Sequence, residues 1–176
     1  MIDDGTVHWF AARTRRGQEL RIRENLDRFG VSSFVPTVRS LRQRGGRKVK
    51  AIVPLVPNMV FLRATKSDAC SLANGRGIPI YYIIDRSTSK MLVVPDKQMD
   101  DFIRVVSEEP DTVEVSNFIP YRGQKVRISS GRLEGVEGEV LTSDGGTFII
   151  VSVGQLLNAR IKVSKSCLVP VNRDVL

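Results

Sequence analysis

The apolar positions near the start of the chain first follow a strand period and then a helix period. Residues 7–12 alternate weakly, and Ile22, Leu26 and Phe29 follow at helical spacing, just before Gly30. Apolar residues at i, i+4 and i+7 lie on one face of a helix, and glycine is favoured just past a helix C-terminus. The pattern therefore predicts a strand followed by an amphipathic helix.

A hairpin and several short elements are predicted next. Residues 33–41 and 49–53 flank Gly45 and Gly46, whose tolerance of positive φ suits a hairpin tip. Further apolar runs predict a strand over 55–62 with a bend at Pro57 and Asn58, a helix over 68–73, strands over 80–84 and 91–94, and a last helix opened by Pro95 and Asp96. We therefore expect residues 1–106 to form an α+β domain, an antiparallel sheet flanked by helices.

The pattern changes after residue 106. Residues 107–117 are acidic and polar and keep no period, which predicts a linker. Five short β-type runs separated by turns follow, at 125–129, 137–141, 147–153, 159–163 and 167–171. Five strands in about fifty residues are typical of a small all-β barrel. We expect this second domain to span residues 118–176.

The positive charge is concentrated in one segment. The chain carries a net charge of +8, yet residues 13–50 alone hold 12 Lys and Arg against 3 Asp and Glu. The predicted hairpin tip, with Arg42, Arg44, Arg47 and Lys48, makes this hairpin a basic arm. Such a segment concentrates polyanions and indicates nucleic-acid contact, with a solvated basic face as the alternative.

The composition argues against several functional classes. His8 is the only histidine, and Cys70 and Cys167 lack the spacing of a metal or redox site, so we expect no metal, no cofactor and no enzyme. The alternative of a Cys70 nucleophile lacks a paired base. No apolar run approaches the roughly eighteen residues of a membrane span, and Asp3 and Asp4 stand where a signal peptide is positive. These features predict a cytoplasmic protein that does not bind membranes.

The segment from Tyr121 to Val140 has regularly placed glycines with β-branched residues between them. It resembles the KOW motif of transcription elongation and ribosomal proteins. The motif positions are Gly123, Val126, Gly131, Gly135 and Gly138. The resemblance implies that the C-terminal domain is an SH3-like KOW barrel, which is a binding module.

The N-terminal half agrees with the same group of proteins. The segments HWFAA from His8, RGQE from Arg16 and PLVPNMVFL from Pro54 resemble the N-terminal domain of NusG. The resemblance implies a transcription elongation or antitermination regulator that docks on the clamp helices of RNA polymerase. Alternation places Met59 and Phe61 on one face of their strand, opposite Val60 and Leu62. The residues that the resemblance assigns to docking are Trp9, Phe10, Met59 and Phe61.

Pro57, Asn58 and Met59 replace the Pro-Gly-Tyr of general NusG proteins and resemble the specialised RfaH-type paralogues. The whole chain is similar to the UpxY group, antiterminators associated with capsular polysaccharide operons. The RfaH-like pattern implies contacts with DNA or nascent RNA in the elongation complex, made by Arg15, Arg16, Gln18, Arg21, Asn25, Asn74 and Arg76. Arginine suits phosphates and guanine, and Asn and Gln suit adenine edges.

The resemblance implies that the KOW barrel recruits a second factor, a ribosomal protein or Rho, while the protein itself is a monomer. RfaH-like tails can refold as a helical hairpin, but the density of Val, Ile and Gly here predicts a stable barrel. The alternative is a ribosome-associated or RNA-binding KOW protein. Residues 111–176 hold 8 basic and 7 acidic side chains, and this balance argues against RNA binding by the tail.

Overall fold

The computed structural model describes residues 5–120 and 122–171, so Asp3, Asp4 and Tyr121 lie outside the described part. The chain divides into two compact units, Met1–Asp96 and Lys97–Leu176. In the described residues the strands pair antiparallel and three α-helices are present. The architecture is therefore mixed α/β with antiparallel sheets.

The first unit contains nine strands and two α-helices among its described residues. Its elements are β1 (His8–Arg13), α1 (Glu19–Arg28), β2 (Ser32–Phe34), β3 (Thr37–Arg44), β4 (Arg47–Pro54), β5 (Met59–Ala64), α2 (Lys66–Asn74), β6 (Tyr81–Tyr82), β7 (Ile84–Asp85), β8 (Lys90–Met91) and β9 (Val93–Val94). The main sheet has the order β2-β5-β1-β6, and β9 also pairs with β1. Strands β3 and β4 pair with each other as the basic arm, and β7 and β8 form a second small hairpin.

One face of the main sheet packs against α1 and α2. Ile22 and Leu26 of α1 and Leu72 of α2 are buried there against strand residues including Val60 and Leu62. Burying a side chain of this size stabilises the fold by about 1.5–3 kcal/mol. The predicted helix face and the predicted orientation of Val60 and Leu62 are confirmed. Phe29, the third apolar residue of the helix pattern, is 45% exposed because it lies at the C-cap of α1, past the last turn.

The strand predicted over 55–62 begins only at Met59. Asn58 has a φ of +62°, a left-handed conformation that ends the extended run and that Asn tolerates better than most residues. The Asn58 N–H donates to Glu19 Oε1 at 2.9 Å, and the Thr14 N–H donates to the Asn58 carbonyl at 3.1 Å. Glu19 is buried, so this turn is fixed to the first turn of α1.

The second unit is one helix and a six-stranded sheet. Its elements are α3 (Asp96–Glu108, from Lys97 onward in this unit), β10 (Glu114–Asn117), β11 (Lys125–Ile128), β12 (Glu137–Ser143), β13 (Gly146–Val153), β14 (Leu157–Lys162), a 3-10 helix (Lys165–Cys167) and β15 (Leu168–Pro170). The strand order is β10-β14-β13-β12-β11-β15. All five strands predicted after residue 124 are present.

The division between the units differs from the boundaries predicted from sequence. It falls after Asp96, whereas the predicted first domain ends at residue 106 and the predicted second domain begins at residue 118. Helix α3 hydrogen-bonds to the sheet of the second unit. Within that unit the Asp101 carboxylate accepts from the Glu137 N–H at 3.2 Å, and Gln98 Oε1 accepts from the Gly154 N–H at 2.8 Å. The segment assigned to a linker, 107–117, contains β10, an edge strand whose exposed residues give it little apolar alternation.

Candidate functional site

The main sheet has a second face, opposite the one that packs on α1 and α2. Since Phe10, Ala12, Val60 and Leu62 belong to the helix-packed core, alternation assigns their strand neighbours to this second face. Cross-strand register extends it, because Phe34 pairs with Phe61 and Val94 pairs with Trp9. The apolar residues of the second face are Trp9, Ala11, Phe34, Met59, Phe61 and Val94.

Three of the four residues assigned to docking lie on this second face. Trp9, Met59 and Phe61 have exposed fractions of 7%, 3% and 0%, so all three are buried in this structure. Phe10 is the exception, because its side chain lies on the opposite face of the sheet. Its ring packs edge-on against Tyr82, with centroids 6.1 Å apart, inside the core beneath α1 and α2.

An exposed aromatic residue that the sequence reasoning missed lies at the rim of the second face. Arg13 pairs with Met59 on one side and with Tyr81 on the other, so the three side chains share this face. Tyr81 is 69% exposed. No local pattern identifies Tyr81, because residues 80–84 form one continuous apolar run. Only the pairing of the two-residue strand β6 with β1 assigns Tyr81 to the second face.

The residues assigned to nucleic acid begin with the loop before α1 and one stripe of that helix. Arg15 and Arg16 are exposed in the loop. Gln18, Arg21 and Asn25 follow at spacings of three and four residues, which aligns them along α1. Gln18 is the N-cap residue, but its side chain makes no capping hydrogen bond.

The last two assigned residues lie at the other end of the helix pair. Asn74 ends α2 and is exposed. The guanidinium of Arg76 lies 4.7 Å from the centre of the Phe29 ring, a cation–π contact that joins the loop after α2 to the end of α1. Ten residues of helix span about 15 Å. The structure therefore arranges the seven residues as two patches at the two ends of α1, connected by the stripe along it.

The glycines of the KOW-like segment are required by the backbone of the second unit. Gly131 and Gly135 have φ of +89° and +90°, which L side chains rarely adopt. Gly138 is needed for a different reason, since a β-carbon there would lie 2.3 Å from the Ile150 carbonyl oxygen. The Gly123 N–H donates to the Glu139 carboxylate at 3.1 Å, and Val126 is buried.

A further groove lies on the sheet of the second unit. It has a volume of about 380 Å³ and is lined in part by Ile119, Leu141 and Ile150. Ile119 is 67% exposed, which is high for an apolar residue of this size. Glu114 and Arg160 form an ion pair at its edge. The groove is therefore apolar on its floor, and the two opposite charges at its edge are paired with each other.

Two other features bear on the range of possible functions. Among residues 5–120 and 122–171, no three His, Cys, Asp or Glu side chains are grouped so that they could hold a metal ion. In the same residues, no helix has the length and apolar character needed to cross a membrane. Cys70 and Cys167 are free thiols.

Comparison with known proteins identifies the family of the chain. Residues 7–103 match the family described as transcription termination factor nusG. Among solved structures, the chain is similar to NusG of Thermotoga maritima, with 19% sequence identity and a TM-score of 0.48 over 95% of this chain and 98% of that chain. Because the family match extends over more than half of its residues, the chain belongs to the NusG family.

Proposed function

We propose that this protein regulates transcription elongation and antitermination by docking on RNA polymerase through its first unit and recruiting a second factor through its second unit. NusG proteins are non-enzymatic transcription factors that interact with RNA polymerase. The observation that carries the proposal is the second face of the main sheet, where six apolar residues from four strands form a continuous surface. Five of these six residues are buried in this structure, so the face would suit an apolar partner such as the clamp helices only once it is accessible.

The proposed docking surface has exposed residues at its rim and buried residues in its interior. Tyr81 and Arg13 are exposed, so they can contact the polymerase first. Trp9, Met59 and Phe61 are buried, so their engagement requires that the second face be uncovered. Tyrosine and arginine are enriched among residues that dominate binding energy at protein interfaces. The rim is therefore the part of the surface that mutagenesis can test without damaging the core.

The residues along α1 and at the end of α2 would contact DNA or nascent RNA in the elongation complex. Arg15, Arg16 and Arg21 are exposed and make no ion pair with the described acidic side chains. Arginines in this state bind phosphates without first breaking an internal contact. Gln18 and Asn25, half-buried beside them, would read base edges.

An operon-specific role of the RfaH or UpxY type is part of the proposal. Its support is Asn58, which stands where the resemblance places glycine in general NusG proteins. The left-handed φ of Asn58 explains why glycine serves there and why Asn is an acceptable replacement. The target would be a capsular polysaccharide operon.

The second unit would act as an SH3-like KOW barrel that recruits a ribosomal protein or Rho. The positive φ of Gly131 and Gly135 and the close approach at Gly138 support the KOW assignment. The groove beside Ile119 favours a protein partner over RNA, because Arg160, the only cation among the described residues that line it, is already paired with Glu114. This is the observation that weighs against a ribosome-associated RNA-binding protein.

The test is co-purification with core RNA polymerase. Tyr81→Ala removes an exposed ring and should leave the fold intact, yet we expect it to abolish most of the polymerase retained by the wild-type chain. Ile84→Ala is the control, since it removes another exposed apolar side chain from the first unit, in the β7–β8 hairpin, which has no part in the proposed contacts. Equal retention by Tyr81→Ala and wild type would refute docking through the second face. A folded wild-type chain that retains no polymerase would refute the function.

A further inference from the structure

The basic arm, Thr37–Pro54, has an unusual distribution of charge. It holds six cations and no acidic residue: Arg39, Arg42, Arg44, Arg47, Lys48 and Lys50. All six are exposed, and none forms an ion pair with an acidic side chain in the described residues. The arm is also isolated as a sheet, because β3 and β4 pair only with each other among the described strands.

The register of the arm divides these cations equally between its two faces. Residues directly opposite in an antiparallel pair share a face. Arg39 pairs with Ile52, Leu41 with Lys50 and Gln43 with Lys48, which places Arg39, Lys48 and Lys50 on one face. Arg42 pairs with Val49 and Arg44 with Arg47, so Arg42, Arg44 and Arg47 occupy the other. Each face therefore carries three positive charges.

We propose that the basic arm inserts into the major groove of duplex DNA. A flat acidic partner, whether a protein surface or an anionic bilayer, would neutralise only one face of the ribbon. A groove has phosphates on both walls, so it satisfies both faces at once. The major groove of B-form DNA is about 12 Å wide and admits a two-stranded ribbon, whereas the deep, narrow major groove of A-form RNA does not.

Two further features of the arm fit this partner. Arg44 and Arg47 are directly opposed at the tip, an arrangement that destabilises an isolated hairpin and that a polyanion would relieve. Leu41 and Ile52 are 64% and 62% exposed on the face that carries Arg39. Apolar side chains in the major groove contact thymine methyl groups. Each strand has eight residues, a length of about 26 Å, which is shorter than one turn of B-form DNA, about 34 Å along the axis, so the ribbon can lie within part of one turn of the groove.

The experiment measures binding of the full-length chain to a fluorescently labelled 20-base-pair duplex of arbitrary sequence by anisotropy, between 50 and 200 mM salt. One variant, Arg42→Gln with Arg44→Gln and Arg47→Gln, neutralises one face. A second, Arg39→Gln with Lys48→Gln and Lys50→Gln, neutralises the other. The matched control, Lys66→Gln with Arg86→Gln and Lys90→Gln, removes the same charge from exposed sites outside the arm. Circular dichroism checks that every variant is folded.

We expect both arm variants to weaken duplex binding and the control to leave it near wild type. The slope of log affinity against log salt concentration decreases in magnitude by about 2.7 when three phosphate contacts are lost. Between 50 and 200 mM salt, the affinity of the wild type should therefore fall by a factor about 40 times larger than the factor for either arm variant. The variant Arg42→Lys with Arg44→Lys and Arg47→Lys should keep the wild-type slope, because lysine also binds phosphate. That rescue separates loss of contact from loss of fold.

Several results would overturn the proposal. An effect from one face only would mean that the arm lies on a flat surface. Wild-type binding by both variants would remove the arm from DNA contact altogether. Binding to vesicles containing phosphatidylserine that depends on the arm, without duplex binding, would assign the arm to a membrane. The assay contains no polymerase, so it can fail while docking through Tyr81 succeeds, and the reverse is also true.

Discussion

The close approach of two backbones at Gly138 leads to a quantitative prediction. Gly138 lies in β12, and a β-carbon built there would be 2.3 Å from the Ile150 carbonyl oxygen and 2.8 Å from Ile149 Cγ1. Both contacts are shorter than any side chain tolerates, and one of them is to backbone. The Gly138→Ala variant must therefore displace β13 from β12, which breaks part of the ladder between them. Overpacking of this kind costs about 1–3 kcal/mol, and we expect the upper part of the range because backbone must move.

Two glycines in turns between the strands of the same sheet separate the possible causes. Gly145 has no atom closer than 3.6 Å to its hypothetical β-carbon and no positive φ, so Gly145→Ala should be neutral or slightly stabilising. Gly131 has open space but a φ of +89°, so Gly131→Ala should cost about 1–2 kcal/mol through backbone strain alone. The order of stability should be Gly145→Ala, then Gly131→Ala, then Gly138→Ala.

The assay is thermal unfolding of the full-length variants by calorimetry, with the transition of the second unit followed separately. For a unit of about 80 residues, 1 kcal/mol shifts the midpoint by roughly 4–8 °C, so Gly138→Ala should lower it by at least about 8 °C. A Gly138→Ala midpoint within 2 °C of wild type would refute the close approach of β12 and β13. An equal loss for Gly145→Ala would mean that loss of glycine itself, rather than the contact, is responsible.

The remaining predictions concern single side chains. Asn58→Gly should be at least as stable as wild type, while Asn58→Ala should lose about 1 kcal/mol in denaturant unfolding, because φ is +62° there; equal stability of both variants would contradict this conformation. The hydrogen bond from Arg127 lowers the pKa of Glu137 below its ordinary 4.5. Its ionised form therefore stabilises the fold at neutral pH, and the stability gap to Glu137→Gln should shrink as pH falls below 4.5 and vanish below the lowered pKa; a gap independent of pH would contradict this. Trp9, the only tryptophan, is 7% exposed, so acrylamide should quench its fluorescence weakly until the chain is denatured; strong quenching of the native protein would contradict burial of the second face.

Local periodicity predicted the elements in which one face is buried and the other face has a different environment. The burial of Ile22 and Leu26, the hairpin at Gly45 and Gly46, and the opposite faces of Met59 and Val60 all followed from spacing alone. Strand β10 did not, because three of its four residues are exposed and its apolar alternation is weak. Its position depends on pairing with β14, a contact across more than forty residues that no local pattern records.

The faces on which the predicted docking residues lie could not be assigned from local sequence patterns. Trp9, Phe10, Ala11 and Ala12 are four consecutive buried residues, so β1 has no apolar alternation from which a face can be assigned. Strand β5 is buried in the same way at Met59–Leu62. In a sheet covered on both faces, sequence can tell that neighbouring residues face opposite ways but not which face packs on α1 and α2. That choice is made by the helices, because Ile22 and Leu72 pack with Phe10 and leave Trp9 and Met59 to the second face. Tyr81, exposed beside Arg13, is therefore the residue through which we propose that a partner reaches this face.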